Sequence, residues 1–259
     1  MILTLLQLNS NADNFWDKLI AYLTKNDFDI IQLQEVCGKN SISGNINCKR
    51  DCYEELKKIL REKYKSELII TQRYSSSPSS FIGNATFYKS SFALIQKSVV
   101  PFYEIATPFP SDSHNFEETG RGMLHLILKK DNKKISLLNT HFAWAKTPKE
   151  EPHQTKQGEL LLAYLKHVDA PFVLSGDFNL DPQQPTIKKI NQLARNLVTE
   201  NNITNTLNPR THGIKQQLAN GLAIAVDYIF TSKEITVKNF SIIEEDLSDH
   251  LGLKTIIEI

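Results

Sequence analysis

Short apolar runs recur along the whole chain, and several of them end at a carboxylate, an amide or an imidazole. The run over residues 5–8 ends at Asn9, and the run over residues 171–174 leads to Asp177. Runs of this length that stop at turn residues are typical of buried strands. Strands of this kind bury their apolar faces by packing in sheets, so the pattern favours a protein rich in β structure.

The remaining apolar residues predict helices between these strands. Helices are predicted where apolar residues recur at helical spacing, over 11–25, 51–64, 153–167 and 185–197. Further strands are predicted at 2–9, 29–34, 67–71, 82–88, 92–105, 122–130, 134–140, 224–231, 235–243 and 251–258. We therefore predict one α/β domain over residues 1–259, in which two mixed sheets pack together with helices outside. Loops are predicted at 38–50, 75–80 and 204–221.

The composition is ordinary for a globular protein, with 41% hydrophobic and 23% charged residues. A formal net charge of +1 argues against clamping long nucleic acid by bulk charge, because phosphate neutralisation needs many Lys and Arg side chains. No apolar run approaches the roughly 20 residues of a membrane helix, so no membrane span is expected. Residues 1–9 have the form of a strand and not of a signal peptide. We expect a cytoplasmic monomer.

The three cysteines are Cys37, Cys48 and Cys52. An odd number fits a reducing compartment. Cys48 and Cys52 could suggest a bridge or a metal, but the four spaced ligands of a zinc site are missing. We predict free structural thiols.

The segment Ser175–Pro182 concentrates candidate chemistry. Asp177 and Asn179 stand where a strand ends and a loop begins, and side chains two apart on extended backbone point the same way. A carboxylate and an amide facing one volume suit a water nucleophile beside a phosphate oxygen. The alternative is a polar turn in which Asp177 caps the local backbone. This segment alone leaves the two interpretations evenly matched.

Eight polar residues share one kind of position, at the end of an apolar strand-like run or inside one. They are Asn9, Glu35, His141, Asp177, Asn179, Asp227, Asp249 and His250. Buried carboxylates are costly unless they are paired or bind a metal, so the recurrence predicts a shared site. Oxygen-rich ligands favour Mg²⁺ or Mn²⁺ over zinc. The predicted chemistry is metal-assisted hydrolysis of a phosphoester.

Five motifs in a fixed order carry a resemblance to a known family. They are Gln32-Leu33-Gln34-Glu35-Val36, Asn139-Thr140-His141-Phe142, Ser175-Gly176-Asp177-Phe178-Asn179, Val226-Asp227-Tyr228-Ile229 and Ser248-Asp249-His250. The chain resembles the endonuclease/exonuclease/phosphatase superfamily, which includes pancreatic-type deoxyribonucleases and inositol polyphosphate 5-phosphatases. The resemblance implies a four-layered, deoxyribonuclease I-like α/β sandwich with its site where the loops of two sheets meet. It also implies that Glu35 is the principal Mg²⁺ ligand, with Asn9 and Asp249 completing or supporting the metal site.

The resemblance implies catalytic roles as well. Asp177 matches the water-orienting aspartate, Asn179 the phosphate-binding asparagine, and His141 the histidine that faces the scissile phosphate. Asp227 and His250 match the family's Asp–His pair. Whether His250 or Asp177 takes the proton from water stays open.

Three weaker candidates each have a plain alternative. Arg121 could reach a phosphate, or it could be a surface arginine in a turn. His212 could border the substrate, or it could be an ordinary loop histidine. Trp144 could stack on a base, but core packing is at least as good an interpretation. The other histidines are predicted to lie outside the site, namely His114, His125, His153 and His167.

The family does not fix the substrate. Our first hypothesis is a Mg²⁺-dependent phosphodiesterase or nuclease that acts on nucleic acid or a nucleotide-like end. The alternative is a phosphatase or phospholipase-type hydrolase of a small phosphorylated or lipid substrate. A degenerate member that only binds a partner is disfavoured, because every catalytic position of the family is filled.

Overall fold

The computed structural model describes residues 1–39, 41–43, 46–73, 80–108, 116–145, 149–169 and 171–259. The predicted loop at 75–80, apart from Ser80, and His114, which was predicted to lie outside the site, are not among the described residues. Within these ranges, no helix is both long and apolar enough to cross a membrane.

Strands and helices alternate irregularly along the chain. The strands are β1 Ile2–Asn9, β2 Ile30–Cys37, β3 Ser41–Ser43, β4 Ile46–Cys48, β5 Tyr64–Arg73, β6 Phe81–Lys89, β7 Ala93–Pro101, β8 Thr107–Pro108, β9 Gly122–Lys130, β10 Lys133–His141, β11 Phe172–Asp177, β12 Arg195–Asn196, β13 Asp227–Thr231, β14 Thr236–Ile243 and β15 Gly252–Glu258. The helices are α1 Trp16–Lys25, α2 Cys52–Leu60, α3 Pro152–Leu165, α4 Pro185–Leu193, α5 Leu197–Glu200 and α6 Lys215–Ala219.

Two mixed sheets form the centre of the structure, as predicted. The first has seven strands in the order β14-β15-β1-β2-β6-β5-β8, and the second has six in the order β12-β13-β11-β10-β9-β7. Each sheet contains one central parallel pair, β1 with β2 in the first and β10 with β11 in the second. The hairpin β3-β4 stands apart from both sheets.

The central strands are buried on both faces, which explains their continuous apolar runs. Leu5 of β1 lies in one core cluster with Val173 of β11, between the two sheets. Its neighbour Leu6 points to the other face and packs in a second cluster with Trp16 of α1 and Leu56 of α2. Helices α3 and α4 contribute buried residues to the first cluster. The architecture is thus the predicted α/β sandwich, in which two sheets pack face to face with helices outside.

Several element boundaries differ from the prediction for local reasons. The first helix begins at Trp16 and not at Asn11, because residues 11–15 form turns and Asn11 has a left-handed φ of 51°. The helix predicted over 185–197 ends at Leu193. The chain then forms β12, and the Asn196 side chain caps α5 by accepting from the backbone N–H groups of Val198 and Thr199. The predicted loops 38–50 and 204–221 contain the hairpin β3-β4 and helix α6.

The prediction of three free thiols was wrong for two of the cysteines. Cys37 and Cys48 form a disulfide, while Cys52 is a buried free thiol whose Sγ lies 3.5 Å from Cys37 Sγ. The reason is tertiary, since β4 brings Cys48 beside the end of β2. Disulfides persist in oxidising compartments, so the odd cysteine count no longer supports a reducing compartment.

One buried histidine outside the predicted site gives a testable dependence of stability on pH. His125 of β9 is 5% exposed, its Nδ1 lies 2.8 Å from the Tyr164 hydroxyl, and burial lowers its pKa. The unfolded chain therefore binds this proton at higher pH than the folded chain does. His125 contributes its full stability above its unfolded pKa of about 6.5 and loses it as the pH falls below that value.

We expect His125→Leu to flatten the rise in unfolding free energy between roughly pH 5 and pH 7. Urea denaturation at a series of pH values measures the slope. His167→Gln, at an exposed position, is the control and should keep the wild-type slope. An unchanged slope in His125→Leu would contradict the assignment.

Candidate active site

The carboxyl ends of four strands meet at one edge between the sheets. Parallel pairing places Asn9 of β1 near the end of β2, and it places His141 of β10 opposite Asp177 of β11. The two sheets join at this edge, because Asn9 Nδ2 donates to Asp177 Oδ2 over 3.0 Å. The topology therefore brings residues distant in sequence into one cluster.

Glu35 reaches this cluster through a local irregularity of β2. Its φ is 54°, and the pairing register of β2 with β6 shifts between Leu33 and Val36. In a regular strand Glu35 would point away from the face of Gln34. The bulge brings its Oε1 to 3.2 Å from Asn9 Nδ2, while a quarter of the side chain (26%) stays exposed. Burial and the charge of Asp249 raise the pKa of this carboxyl.

Asp177 lies at the centre of the cluster. Its Oδ1 accepts from the backbone N–H of Asn179 over 2.9 Å. Its Oδ2 accepts from Asn9 and also lies 3.5 Å from His141 Nε2 and 3.9 Å from His250 Nε2. Burial, together with the charge of Asp227, raises the pKa of Asp177 to about 7. Asp177 thus caps a local turn and faces the cluster at the same time, so both interpretations of its segment describe part of the geometry.

Asp227 and His250 form a buried pair. His250 Nδ1 lies 2.8 Å from Asp227 Oδ2, and Asp227 Oδ1 accepts from Gln7 Nε2 over 3.1 Å. Burial opposes the charge on the His250 ring, but the charge and hydrogen bond of Asp227 outweigh it, with Asp177 and Asp249 adding to the effect. The pKa of His250 is consequently raised well above its usual value, which favours an imidazolium at neutral pH.

His141 and Asn179 form the opposite wall. Asn179 has a left-handed φ of 50°, and its Nδ2 lies 3.2 Å from His141 Nε2 and 3.0 Å from the Phe142 carbonyl oxygen. Burial lowers the pKa of His141 well below its usual value, and the charges of Arg121 and His250 add to this effect. At neutral pH the His141 imidazole is therefore neutral, whereas the His250 imidazole is charged.

The remaining predicted residues lie at the border of the cluster. His212 has its ring centroid 5.8 Å from that of His250, and its Nδ1 accepts from the Ile214 N–H. Ligand atoms of His212, Asp249 and His250 lie within 4.8 Å of one another. Arg121, just before β9, lines a cavity together with Glu35 and His141. The structure thus brings all ten predicted site residues into one region.

The donor set fits a hard divalent cation. In the part of the chain that the structure describes, Glu35 accepts a side-chain hydrogen bond only from Asn9, and no Lys or Arg forms an ion pair with it. Asp249, whose negative charge raises the pKa of Glu35, adds a second carboxylate. Mg²⁺ in proteins is commonly held by one or two carboxylates with water completing the shell. Two partly uncompensated carboxylates therefore match the chemistry of that ion.

A layer of buried amides beneath the site was missed from the sequence. Gln7 Nε2 donates to Gln34 Oε1 over 2.9 Å, and Gln34 Nε2 donates to Asn139 Oδ1 over 2.8 Å. Ser175 Oγ donates to Gln32 Oε1 over 2.6 Å. A signal was available, because Gln7, Asn139 and Ser175 each lie two residues before a candidate residue and so share its face of the strand.

Trp144 is not a core residue. It is 53% exposed and packs edge to face on Phe116, with ring centroids 4.8 Å apart. Both rings line the cavity of about 160 Å³ that opens beside Glu35 and His141. The core-packing alternative for Trp144 is therefore wrong.

Comparison with known proteins agrees with this geometry. A protein-family sequence model described as Endonuclease/Exonuclease/phosphatase family matches residues 6–250. No curated protein matches the sequence. An endonuclease/exonuclease/phosphatase from Bacteroides vulgatus is 16% identical with a TM-score of 0.74, covering 100% of this chain and 99% of that one. A mannosyl-6-phosphatase from Bacteroides thetaiotaomicron is 16% identical with a TM-score of 0.73, over 99% and 100% of the two chains. ANGEL2, a 2′,3′-cyclic phosphatase, is 18% identical with a TM-score of 0.72, over 99% and 95%. At these identities the structural likeness concerns the fold.

Proposed function

The chain belongs to the endonuclease/exonuclease/phosphatase family of phosphoester hydrolases, and from that premise we propose that it is a Mg²⁺-dependent phosphodiesterase acting on nucleic acid or a nucleotide-like end. One observation carries the proposal. A single carboxylate oxygen, Asp177 Oδ2, faces the Nε2 atoms of both His141 and His250 at 3.5 and 3.9 Å. That space suits a water and a phosphate oxygen. Because the contributing residues run from Asn9 to His250, we also propose that residues 1–259 act as one domain.

Glu35 would hold the divalent cation, with Asn9 and Asp249 completing or supporting its site. When bound, the cation would polarise a phosphoryl oxygen and stabilise charge on the leaving oxygen. Asn9 has a second role, because its Nδ2 donates to both Glu35 and Asp177. It thereby fixes the distance between the carboxylate that would bind the metal and the one that would bind water.

Asp177 is the group that would orient the attacking water and take its proton. Its two hydrogen bonds hold the carboxylate in place, and a pKa of about 7 suits a general base at neutral pH. His250 is a poor proton acceptor, because Asp227 holds it in the charged form. His250 instead donates to a phosphate oxygen as negative charge develops there.

His141 and Asn179 would bind the phosphate on its other side. His141 Nε2 and Asn179 Nδ2 lie 3.2 Å apart, so an N–H of this pair would turn from its partner to a phosphate oxygen when substrate binds, without adding charge. Arg121 supplies a cation nearby. Donors aimed at non-bridging oxygens favour the transition state, where charge on those oxygens is greatest.

The cavity supports a second candidate, a phosphatase of a small phosphorylated substrate. Among its described lining residues, Arg121 is the one cation, whereas binding of long duplexes requires many phosphate contacts. This observation favours a terminal nucleotide or a small molecule over the interior of a long duplex.

A substrate panel tests the proposal. We expect hydrolysis of phosphodiesters in single-stranded, nicked or 5′-blocked DNA or in RNA, in the presence of Mg²⁺, measured by product release on a gel. EDTA should abolish turnover and added Mg²⁺ should restore it. His250→Ala should lower kcat by roughly 10²–10³-fold, the usual range for removing one donor to the charge of the transition state.

The same panel includes sphingomyelin, inositol phosphates and sugar phosphates. Turnover confined to these compounds would reject the phosphodiesterase in favour of the second candidate. Unchanged hydrolysis in both Glu35→Ala and His250→Ala would reject the site itself.

A further inference from the structure

The cavity beside the site extends away from the catalytic residues across the first sheet. Glu35 and His141 lie at one end, and Asn84 and Gln72 line it further along. Glu35 is on β2, Asn84 on the neighbouring β6, and Gln72 on β5, the next strand. Two strand spacings separate Gln72 from Glu35 across the sheet, about 10 Å. The cavity is therefore placed to hold a group attached to the scissile phosphate.

Gln72 is a buried amide without a protein partner for its donor. It is 1% exposed, and no atom of the described chain accepts a hydrogen bond from its Nε2. Buried polar groups in native proteins are nearly always hydrogen-bonded, so an exception that lines a cavity indicates a partner outside the chain. Gln72 thus offers a donor to a ligand.

Asn84 supplies the complementary group. It is also 1% exposed, and its Nδ2 reaches the Gly122 carbonyl oxygen at 3.4 Å. Its Oδ1 accepts no hydrogen bond from the residues that the structure describes. A free amide donor and a free amide acceptor on neighbouring strands can read the edge of a heterocycle that carries both kinds of group.

An aromatic surface lies at the same cavity. Trp144 is half exposed, and the Phe116 ring supports it edge to face, which leaves the indole available to a flat ligand. Stacking on an aromatic side chain is a common way to bind an unpaired base. An exposed tryptophan with no such role would only add apolar surface to the protein.

The charges of the lining side chains indicate whether the cavity suits a nucleobase or a second phosphate. Arg121, the cation among the described lining residues, acts electrostatically on both Glu35 and His141. Its charge therefore lies within reach of the phosphate. The other lining side chains on which the inference depends, Gln72, Asn84 and Trp144, are neutral amides and an aromatic ring, which suit a neutral planar group.

We propose that this cavity binds the nucleobase adjacent to the scissile phosphate, stacked on Trp144 and read by Gln72 and Asn84. The inference rests on the proposed function and narrows its substrate to a phosphoester next to an unpaired base. An abasic substrate then binds the catalytic residues but not the cavity.

The kinetic test compares two matched oligonucleotides. One carries a normal base beside the cleaved phosphate, and the other carries a tetrahydrofuran abasic analogue at that nucleotide. For the base-containing strand, Trp144→Ala should lower kcat/KM by roughly 5- to 150-fold, the range for one stacked base. Trp144→Phe should retain most of the wild-type value, and Gln72→Leu should lower it. All three variants should cleave the abasic strand as the wild type does. Equal losses on both strands would overturn the proposal.

A binding measurement separates failure of this inference from failure of the proposed function. The chain has two tryptophans, and Trp16 is buried (1% exposed), so fluorescence quenching by a small polar ligand reports on Trp144. Adenosine or cytidine monophosphate should quench the wild type but not Trp144→Phe, and ribose 5-phosphate should have no effect. This result supports the cavity assignment even if no phosphodiester is cleaved. Quenching by ribose 5-phosphate as strong as by the nucleotides would assign the cavity to a sugar, and absence of quenching would overturn base binding.

Discussion

Asp177→Asn is expected to lower kcat by roughly 10²–10⁴-fold while KM changes little. The reason is that an amide cannot take a proton from water, and general-base catalysis contributes a factor of this size. An interaction made only in the transition state affects kcat and kcat/KM equally. Steady-state kinetics on the best substrate of the panel, at saturating Mg²⁺, measures both quantities.

The substitution also tests the hydrogen bonds of Asp177. Both carboxylate oxygens accept from protein donors, so an asparagine places its Nδ2 against either the Asn179 N–H or the Asn9 amide. Such a mismatch in a buried site costs about 1–3 kcal/mol, and thermal denaturation should show it. If the variant does not fold, Asp177→Ala provides the same kinetic test without placing a donor against a donor.

Asp181 provides a matched control in the same loop. Its Oδ1 accepts from the Gln183 N–H over 2.8 Å, which is a turn-capping bond like that of Asp177, but it lies outside the cluster. Asp181→Asn should leave kcat within about twofold of wild type, because surface changes away from a site have small effects. Similar losses in both variants would mean that Asp177 acts through the loop conformation and not as a base.

The strand-end residues could be located from sequence because topology does most of the positioning. Asn9 and Asp177 each end a buried apolar run, and strand ends of parallel pairs lie at one edge of a sheet. The spacing of apolar and polar residues carries this information, and the fixed order of five motifs identified the family. The same argument could not place Trp144, since a large aromatic after a strand fits either a core or a surface.

The parts that sequence reasoning missed depend on backbone irregularity and on pairing at long range. Glu35 was predicted as a site residue, but the bulge through which it reaches the site was not. Glu35 itself has the left-handed φ there, and a non-glycine residue with positive φ has no reliable sequence signal. The hydrogen bond from Gln34 to Asn139 joins residues 105 apart in two different sheets. The Cys37–Cys48 disulfide depends on where the hairpin β3-β4 lies. Each of these features is set by tertiary contacts and not by local propensity.

Asp227→Asn is the second substitution with a large expected effect, because it changes the charge and the hydrogen bonding of His250 together. Asp227 is fully buried and accepts from Gln7 Nε2 on Oδ1 and from His250 on Oδ2. An asparagine retains one acceptor, so its NH₂ group must face either Gln7 or the imidazole. If it faces the imidazole, His250 Nδ1 must accept, and the ring is forced into the opposite tautomer.

The charge of Asp227 is also the largest influence that raises the pKa of His250 against the effect of burial. Without it, burial should lower that pKa, so His250 becomes neutral at pH values where the wild type is charged. We expect kcat to fall by roughly 10²–10³-fold, as for loss of one donor to the charge of the transition state. Nitrogen-15 NMR of the imidazole should show a protonated ring at neutral pH in the wild type and a neutral ring in the variant.

Asp246→Asn serves as the control for replacing an aspartate that accepts two side-chain hydrogen bonds. Asp246 accepts from Asn208 Nδ2 and Arg210 Nε but lies at the surface, with 31% of its side chain exposed. Its substitution should leave both kcat and the His250 spectrum unchanged. A His250 ring that stays protonated in Asp227→Asn, with kcat near the wild-type value, would show that the neighbouring carboxylates alone hold the charge and that Asp227 has no part in catalysis.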